Sequence, residues 1–386
     1  MRTLLLSSLI VTTCAAQPQW RTVVMGTNGM VAAEHPLEAR AGMRVLEAGG
    51  NAIDAAVATF YMTTVVEQHQ AGIGGDAFVL AYIAKEKRVV FVNGTGRAPR
   101  GATPDFYRQL GGIPAEGPYS STLPGAVAGF ELARARWGTM PQSRLVADAA
   151  EAAAKGHALT HWSASNYVSA LKKILAFPSS RVLLKDGRPW AAGDLLVQPD
   201  LARTLSTLGR EGAESFYTGS LARLTASFYE RQKGLIRLDD LAAVRAEQAE
   251  PIRTRYKDYD VYQCAPNSQG IVLLMALNIL EGVDLRKAGR NSGEYLHWVV
   301  EALKLAFADR DQYIADPEFI KGIPVDALLA KGYAGKRRTL IRPDRAMRGA
   351  APPGDPRSGG AVLAGRAVAY EDGPQTPVTG AAPAEA

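Results

Sequence analysis

The chain has 386 residues, 47% of them hydrophobic and 21% charged, which excludes a wholly disordered or collagen-like polypeptide. With 44 Lys+Arg against 38 Asp+Glu the formal charge is +6. The densest basic run, Lys336-Arg337-Arg338 with Arg342, Arg345 and Arg348, lacks interleaved aromatics and reads as a solvated face, not a nucleic-acid or membrane-surface patch.

Residues 1–16 have the pattern of a secretory signal. Arg2 supplies the positive region, Leu4 to Val11 the apolar region, and Cys14-Ala15-Ala16 a small-residue cleavage site before Gln17. The apolar run falls short of the roughly 20 residues a spanning helix needs. The expected location is therefore outside the cytoplasm, periplasmic or extracellular, with a lipid anchor on Cys14 as the alternative to soluble export. Cys14 and Cys264 are the only cysteines, so cleavage leaves one thiol and no intrachain disulfide.

Pro36, followed by Leu37, Ala41, Val45 and Leu46 and stopped at Gly49-Gly50, predicts an amphipathic helix. Asn51 caps a second helix from Ala52 to about Val66, with Asp54 as its only charge and hence mostly buried. The turn Gly72-Ile73-Gly74-Gly75 leads to a strand at Phe78 to Tyr82. A charged tip, Lys85 to Arg88, then precedes a second strand at Val89 to Val92. Two strands behind two helices predict a helix layer on an antiparallel sheet.

From Ala126 to about Glu247 the pattern is mainly helical, with Asp200 as the cap of Leu201 to Leu208. A strand follows at Asp260 to Gln263, then a turn from Ala265 to Gly270 into Ile271 to Leu280. Asn291 with Glu294 has the form of a capping box opening a helix to about Ile314. After Ile341 periodicity stops, and the Gly/Ala/Pro-rich stretch from 346 to 386 reads as a flexible tail or linker.

Residue by residue, the chain offers no complete catalytic constellation. His157 and His161 have helical metal-ligand spacing, but no carboxylate stands between them and Gly156 weakens the helix. No Gly-x-Ser-x-Gly is present, and Cys264 has no charged neighbour to depress its pKa. Gly72 to Gly75 lacks the Lys-Ser/Thr of a phosphate loop and reads as a tight turn. Neither a metal nor a cofactor is expected.

The order of motifs is more telling. Gly49-Gly50-Asn51-Ala52-Ile53-Asp54-Ala55-Ala56-Val57-Ala58 is followed by Gln70-Ala71-Gly72-Ile73-Gly74-Gly75-Asp76-Ala77-Phe78. Then come Gly96-Arg97-Ala98-Pro99, Leu123-Pro124-Gly125-Ala126-Val127-Ala128-Gly129-Phe130, and Ala306-Phe307-Ala308-Asp309-Arg310 near Asp316-Pro317. In this order, from about residue 27 to 340, they resemble the large-subunit half of the γ-glutamyltransferases, which are N-terminal-nucleophile hydrolases.

The resemblance implies an α+β fold, the large-subunit portion of a four-layer αββα sandwich, incomplete without a small subunit. It divides the chain into a signal peptide at 1–16, a large-subunit domain at 17–345 and a linker at 346–386. It implies a self-cleaving precursor whose new N-terminal Thr, expected downstream of Ala386, attacks a γ-glutamyl amide such as that of glutathione. The Thr's own α-amine serves as base, and this chain by itself is expected to be inactive. The expected partners are the small subunit and a small γ-glutamyl or acyl-amide substrate.

In the γ-glutamyl-specific members a large-subunit Arg clamps the substrate α-carboxylate through its planar fork. That position here is Thr95. Arg97 lies two residues on and, on a strand, shares its face. With Asn267-Ser268-Gln269-Gly270 where Ser-Ser-Gly-Gly is usual, this departure points to acylases or small-amide amidohydrolases of the same fold. A non-catalytic truncated scaffold protein is the reading from another class.

Overall fold

The computed structural model describes residues 23–371. The signal-peptide reading of 1–16 and the end of the tail lie outside the described residues. Helix α1, Pro36–Glu47, opens with Pro36 in its first turn and His35 as its cap, whose Nδ1 accepts from the Leu37 amide at 3.1 Å. Helix α2, Ala52–Val66, starts at Asn51, whose Oδ1 accepts from the amides of Ile53 and Asp54. Strands β1, Ala77–Ile83, and β2, Arg88–Gly94, form the expected antiparallel hairpin, with Lys87 at positive φ in its tip.

Asp54 explains the charge in the otherwise apolar α2. It is fully buried and accepts from the Asn51 amide at 3.0 Å, the Thr139 hydroxyl at 2.6 Å and the Met140 amide at 3.1 Å. It therefore ties the start of α2 to the loop after helix α3, Ala126–Trp137. Burial pushes the carboxyl pKa up, but the hydrogen bonds from Thr139, Asn51 and Met140 outweigh it and hold it below the ordinary aspartate value. A depressed folded-state pKa means a contribution present above about pH 4 and lost as pH falls through the folded value. Asp54→Asn should cost about 1–3 kcal/mol in urea unfolding at pH 7, with the difference shrinking on acidification. Equal differences at pH 7 and in acid would defeat this account.

Helix α4, Gln142–Lys155, packs between α2 and helix α5, Pro199–Glu211, and this helical layer holds the largest apolar cluster. Asp200 lies inside the first turn of α5 and does not cap it, because Pro199 takes the opening position and Gln198 precedes it. His157 and His161 do not share a helix face. His157 is buried in a two-residue strand, whereas His161 is exposed at the start of a helix capped by Thr160.

The sheet has three strands in the order β1-β2-β3, with β3 at Glu247–Ala249. Its inner face places Val79 and Val92 against Ile53 and Ala133. The opposite face of β1 carries Phe78, Leu80 and Tyr82, which are 41, 39 and 64% exposed. Among the described residues the outer edge of β1 has no strand partner.

Beyond the short helix α6, Leu238–Ala242, a hairpin of β4, Ile252–Tyr256, and β5, Tyr259–Gln263, precedes the apolar helix α7, Ile271–Leu280. Helix α8, Gly293–Tyr313, is capped by Ser292, whose Oγ accepts from the Tyr295 amide at 3.1 Å. Asn291, expected as the cap, instead takes a positive φ in the preceding turn.

The described part of the tail differs from expectation. Residues 346–371 pack on α8 and on helix α9, Lys331–Arg338, with Met347 and Ala351 buried. The anchor is Arg337, 0% exposed, whose Nη2 lies 3.0 Å from Asp309 Oδ1. Arg337 also donates to the carbonyls of Leu305, Pro352 and Ala361, while Asp309 accepts from the Gly354 amide and the Tyr333 hydroxyl. Backbone hydrogen bonding to a buried ion pair, together with the packing of Met347, Ala351, Val368 and Tyr370, orders this Gly/Pro-rich segment. The basic run is correspondingly not a uniform solvated face: Lys336 is exposed and Arg337 is core.

Candidate active-site cleft

Thr95 follows β2 directly, and its position depends on glycines. A Cβ on Gly96 would lie 1.4 Å from the Leu123 carbonyl oxygen, and one on Gly125 would lie 2.3 Å from that of Gly94. The end of β2 therefore rests on the start of α3, which the Leu123 to Gly129 motif allows. The Leu123 amide donates to the Arg97 carbonyl at 2.8 Å. The carbonyl of Gly75 accepts from the amides of Gly125 and Ala126, so the Gly72 to Gly75 turn caps α3. Asp76 accepts from the Gly96 amide at 2.5 Å.

Thr95 joins a closed polar ring. Its hydroxyl donates to Asn93 Oδ1 at 2.8 Å, Asn93 Nδ2 donates to Asn267 Oδ1 at 3.1 Å, and Asn267 Nδ2 donates back to Thr95 Oγ1 at 2.9 Å. Asn267 reaches the ring from the turn between β5 and α7, itself braced by the Ser268 hydroxyl on the Cys264 carbonyl. Each Asn keeps a second N–H, so the ring is a fixed neutral donor surface.

The ring lies in a cleft of about 400 Å³, with Arg97, Arg245, Glu247, Asp316 and Glu318 around it. Arg97 does reach the cleft, but not as a bare cation. Its Nη2 is 2.9 Å from Glu318 and 3.6 Å from Glu247, and its side chain is 59% exposed. Asn93, Arg245, Glu247 and Glu318 were not singled out in the sequence. Asn93, two residues before Thr95 on β2, was the one with a readable signal.

A larger cavity of about 860 Å³ lies between α2 and β1, bounded by Thr63, Gln68, His69, Asp76 and Phe78. Next to the lining residues Gln68 and His69, Glu67 is buried, and its Oε2 lies 3.1 Å from His69 Nε2. Burial, reinforced by Glu34 and Glu38, pushes the Glu67 pKa up to about 7. A raised folded-state pKa gives stability that is full below the unfolded value and is lost as pH rises through the folded one. Glu67→Gln should therefore stabilise the chain at pH 8, on the order of 2 kcal/mol, and do little at pH 4. A stability change of the same size at both pH values would contradict this.

Among the described residues no histidine is hydrogen-bonded to a hydroxyl or thiol. His157 is held neutral, its pKa pushed down to about 4 by burial and by His35. Burial also raises the Cys264 thiol, away from nucleophilic use. Among the described residues no three His, Cys, Asp or Glu side chains converge as a metal site, and no helix is long and apolar enough to cross a membrane.

Comparison with known proteins identifies this scaffold. A family profile described as gamma-glutamyltranspeptidase matches residues 39–368. A glutathione hydrolase-like proenzyme of Bacillus subtilis is 36% identical over 313 residues, covering 81% of this chain and 59% of its own length. An acylase proenzyme of a Pseudomonas species is 36% identical over 347 residues, covering 86% and 61%. The crystal structure of Helicobacter pylori gamma-glutamyltranspeptidase superposes with a TM-score of 0.81 at 32% identity, over 84% of this chain and 95% of that one. This chain thus spans about three-fifths of the length of the curated relatives it matches. With the profile spanning most of its length and the α+β layers shared with N-terminal-nucleophile hydrolases, the chain belongs to the gamma-glutamyltranspeptidase family.

Proposed function

We propose that this chain is the large-subunit portion of an exported amidohydrolase whose Thr nucleophile resides on a small subunit. The supporting observation is the shared scaffold: the gamma-glutamyltranspeptidase profile spans residues 39–368, and the relatives matched along it are named proenzymes. In this reading the small subunit supplies the Thr, its α-amine as base and the oxyanion amides, and the chain described here is inactive alone. The large subunit supplies the cleft wall, with Thr95 and Arg97 facing the acyl group. Residues 1–16 are removed on export, which mass spectrometry of the exported protein reads as a start near Gln17.

Thr95 favours the acylase side of the family. The neutral ring it forms with Asn93 and Asn267 presents amide N–H groups, which suit a carbonyl or hydroxyl better than an α-carboxylate. Co-expression with a Thr-bearing small-subunit segment, assayed on a γ-glutamyl anilide and on a glutaryl anilide, tests both points. The expected result is anilide release from the assembled protein only, with the glutaryl compound preferred. Preference for the γ-glutamyl compound would return the enzyme to the transpeptidase side, and release by the chain alone would overturn the subunit reading.

A further inference from the structure

Between residues 95–100 and the end of α6 lies a further cavity of about 230 Å³, which shares the lining residues Thr95, Arg97 and Arg245 with the cleft. Three arginines, Arg97, Arg100 and Arg245, line it against one carboxylate, Asp240. Asp240 is already committed, since it is buried and accepts from the backbone amides of Arg237 at 3.0 Å and Arg100 at 3.2 Å. The arginines are not equivalent. Arg97 is paired with Glu318 and Glu247, and Arg100 Nε stands 3.9 Å from Asp240. Arg245 has no carboxylate partner among the described residues. Its Nη1 donates to the carbonyls of Ala242 at 2.8 Å and Val244 at 2.6 Å, which fixes the guanidinium and leaves its Nε–Nη2 edge without a protein acceptor.

We infer that Arg245, at the junction of the two cavities beside Thr95, is the residue that holds the carboxylate of an acidic acyl substrate. An anion arriving at Arg97 exchanges one carboxylate partner for another and gains little. An anion arriving at Arg245 forms a new ion pair with a guanidinium that the protein has already oriented, so less rotamer freedom is lost on binding. The free edge matches both oxygens of a carboxylate. The ligand class that follows is a small acyl amide ending in a carboxylate, its amide lying along the Asn93–Thr95–Asn267 ring. This assignment rests on the reading of the cleft as the acyl site.

Two measurements test it. In the full 386-residue chain, arginine modification by p-hydroxyphenylglyoxal is followed by peptide mass spectrometry with glutarate or uncharged glutaramide present. Glutarate should slow modification of Arg245 at least about fivefold and that of Arg97 less than about twofold, and glutaramide should protect neither, because the protecting contact is charge-assisted. Protection of Arg97 instead of Arg245, or of neither, overturns the assignment. In the assembled enzyme, Arg245→Gln should raise KM for the glutaryl anilide about 30-fold with kcat retained, leave an uncharged acyl anilide unaffected, and be poorly rescued by Arg245→Lys. An unchanged KM overturns the assignment while anilide release stands, whereas loss of release from the unsubstituted assembly would mean that the amidohydrolase reading itself had failed.

Discussion

Replacing Asp309 with Ala should lower stability by about 3–5 kcal/mol, because it leaves the Arg337 guanidinium charged and unpaired where both side chains are almost fully buried. The loss should be local before it is global. Arg337 bonds to the carbonyls of Pro352 and Ala361 and Asp309 to the Gly354 amide, so the variant should free residues 350–362 first. Hydrogen exchange and limited proteolysis should show new cleavage there, with β1, β2 and α2 still protected. Asp309→Asn keeps the shape and removes the charge, and it should behave nearly as badly. A mild Asn variant would mean that the hydrogen bonds, not the ion pair, hold the segment. These contacts account for the Asp of the Ala-Phe-Ala-Asp-Arg motif: it anchors the segment through Arg337, Tyr333 and Gly354, none of which lines the cleft.

The second large effect concerns the outer face of β1. Phe78, Leu80 and Tyr82 form an exposed apolar row on a strand whose outer edge is unpaired among the described residues. Such an edge is a template for another chain. In the proposed assembly the small subunit covers it. The chain expressed alone should therefore self-associate, and the double variant Leu80→Lys, Tyr82→Lys should yield monomer in sedimentation or light scattering. The same variant should fail to assemble with the Thr-bearing subunit. Each buried side chain of this size is worth about 1.5–3 kcal/mol, or roughly a ten- to hundredfold weaker association apiece. A wild-type chain that is monomeric and melts reversibly, or a double variant that still assembles, would place the interface elsewhere.

Much of this protein was decided locally. Pro36, Asn51 and the charged tip Lys85 to Arg88 between two apolar runs give α1, α2 and the β hairpin directly, since capping and turn signals act within a few residues. Gly72 to Gly75 read as a tight turn, and the order of motifs announced the family. Where competing local signals lay side by side, neighbours changed the outcome. Pro199 displaced Asp200 as the opening of α5, and the turn at Asn291 left Ser292 to cap α8. The remainder depended on residues far apart in sequence. Asp309 and Arg337 order residues 346–371, whose composition alone predicts a tail, because a buried charge pair organises the surrounding backbone at long range. Arg97 lines the cleft, where Glu318 and Glu247 reach it from other parts of the chain and meet its charge. Arg245 stays open because its neighbours in space are carbonyls. Sequence spacing marked Thr95 and Arg97 at the end of β2, and tertiary packing brought Arg245, Glu247, Asn267 and Glu318 to them and decided which charges remain free, because ion pairing depends on distance in space and not along the chain.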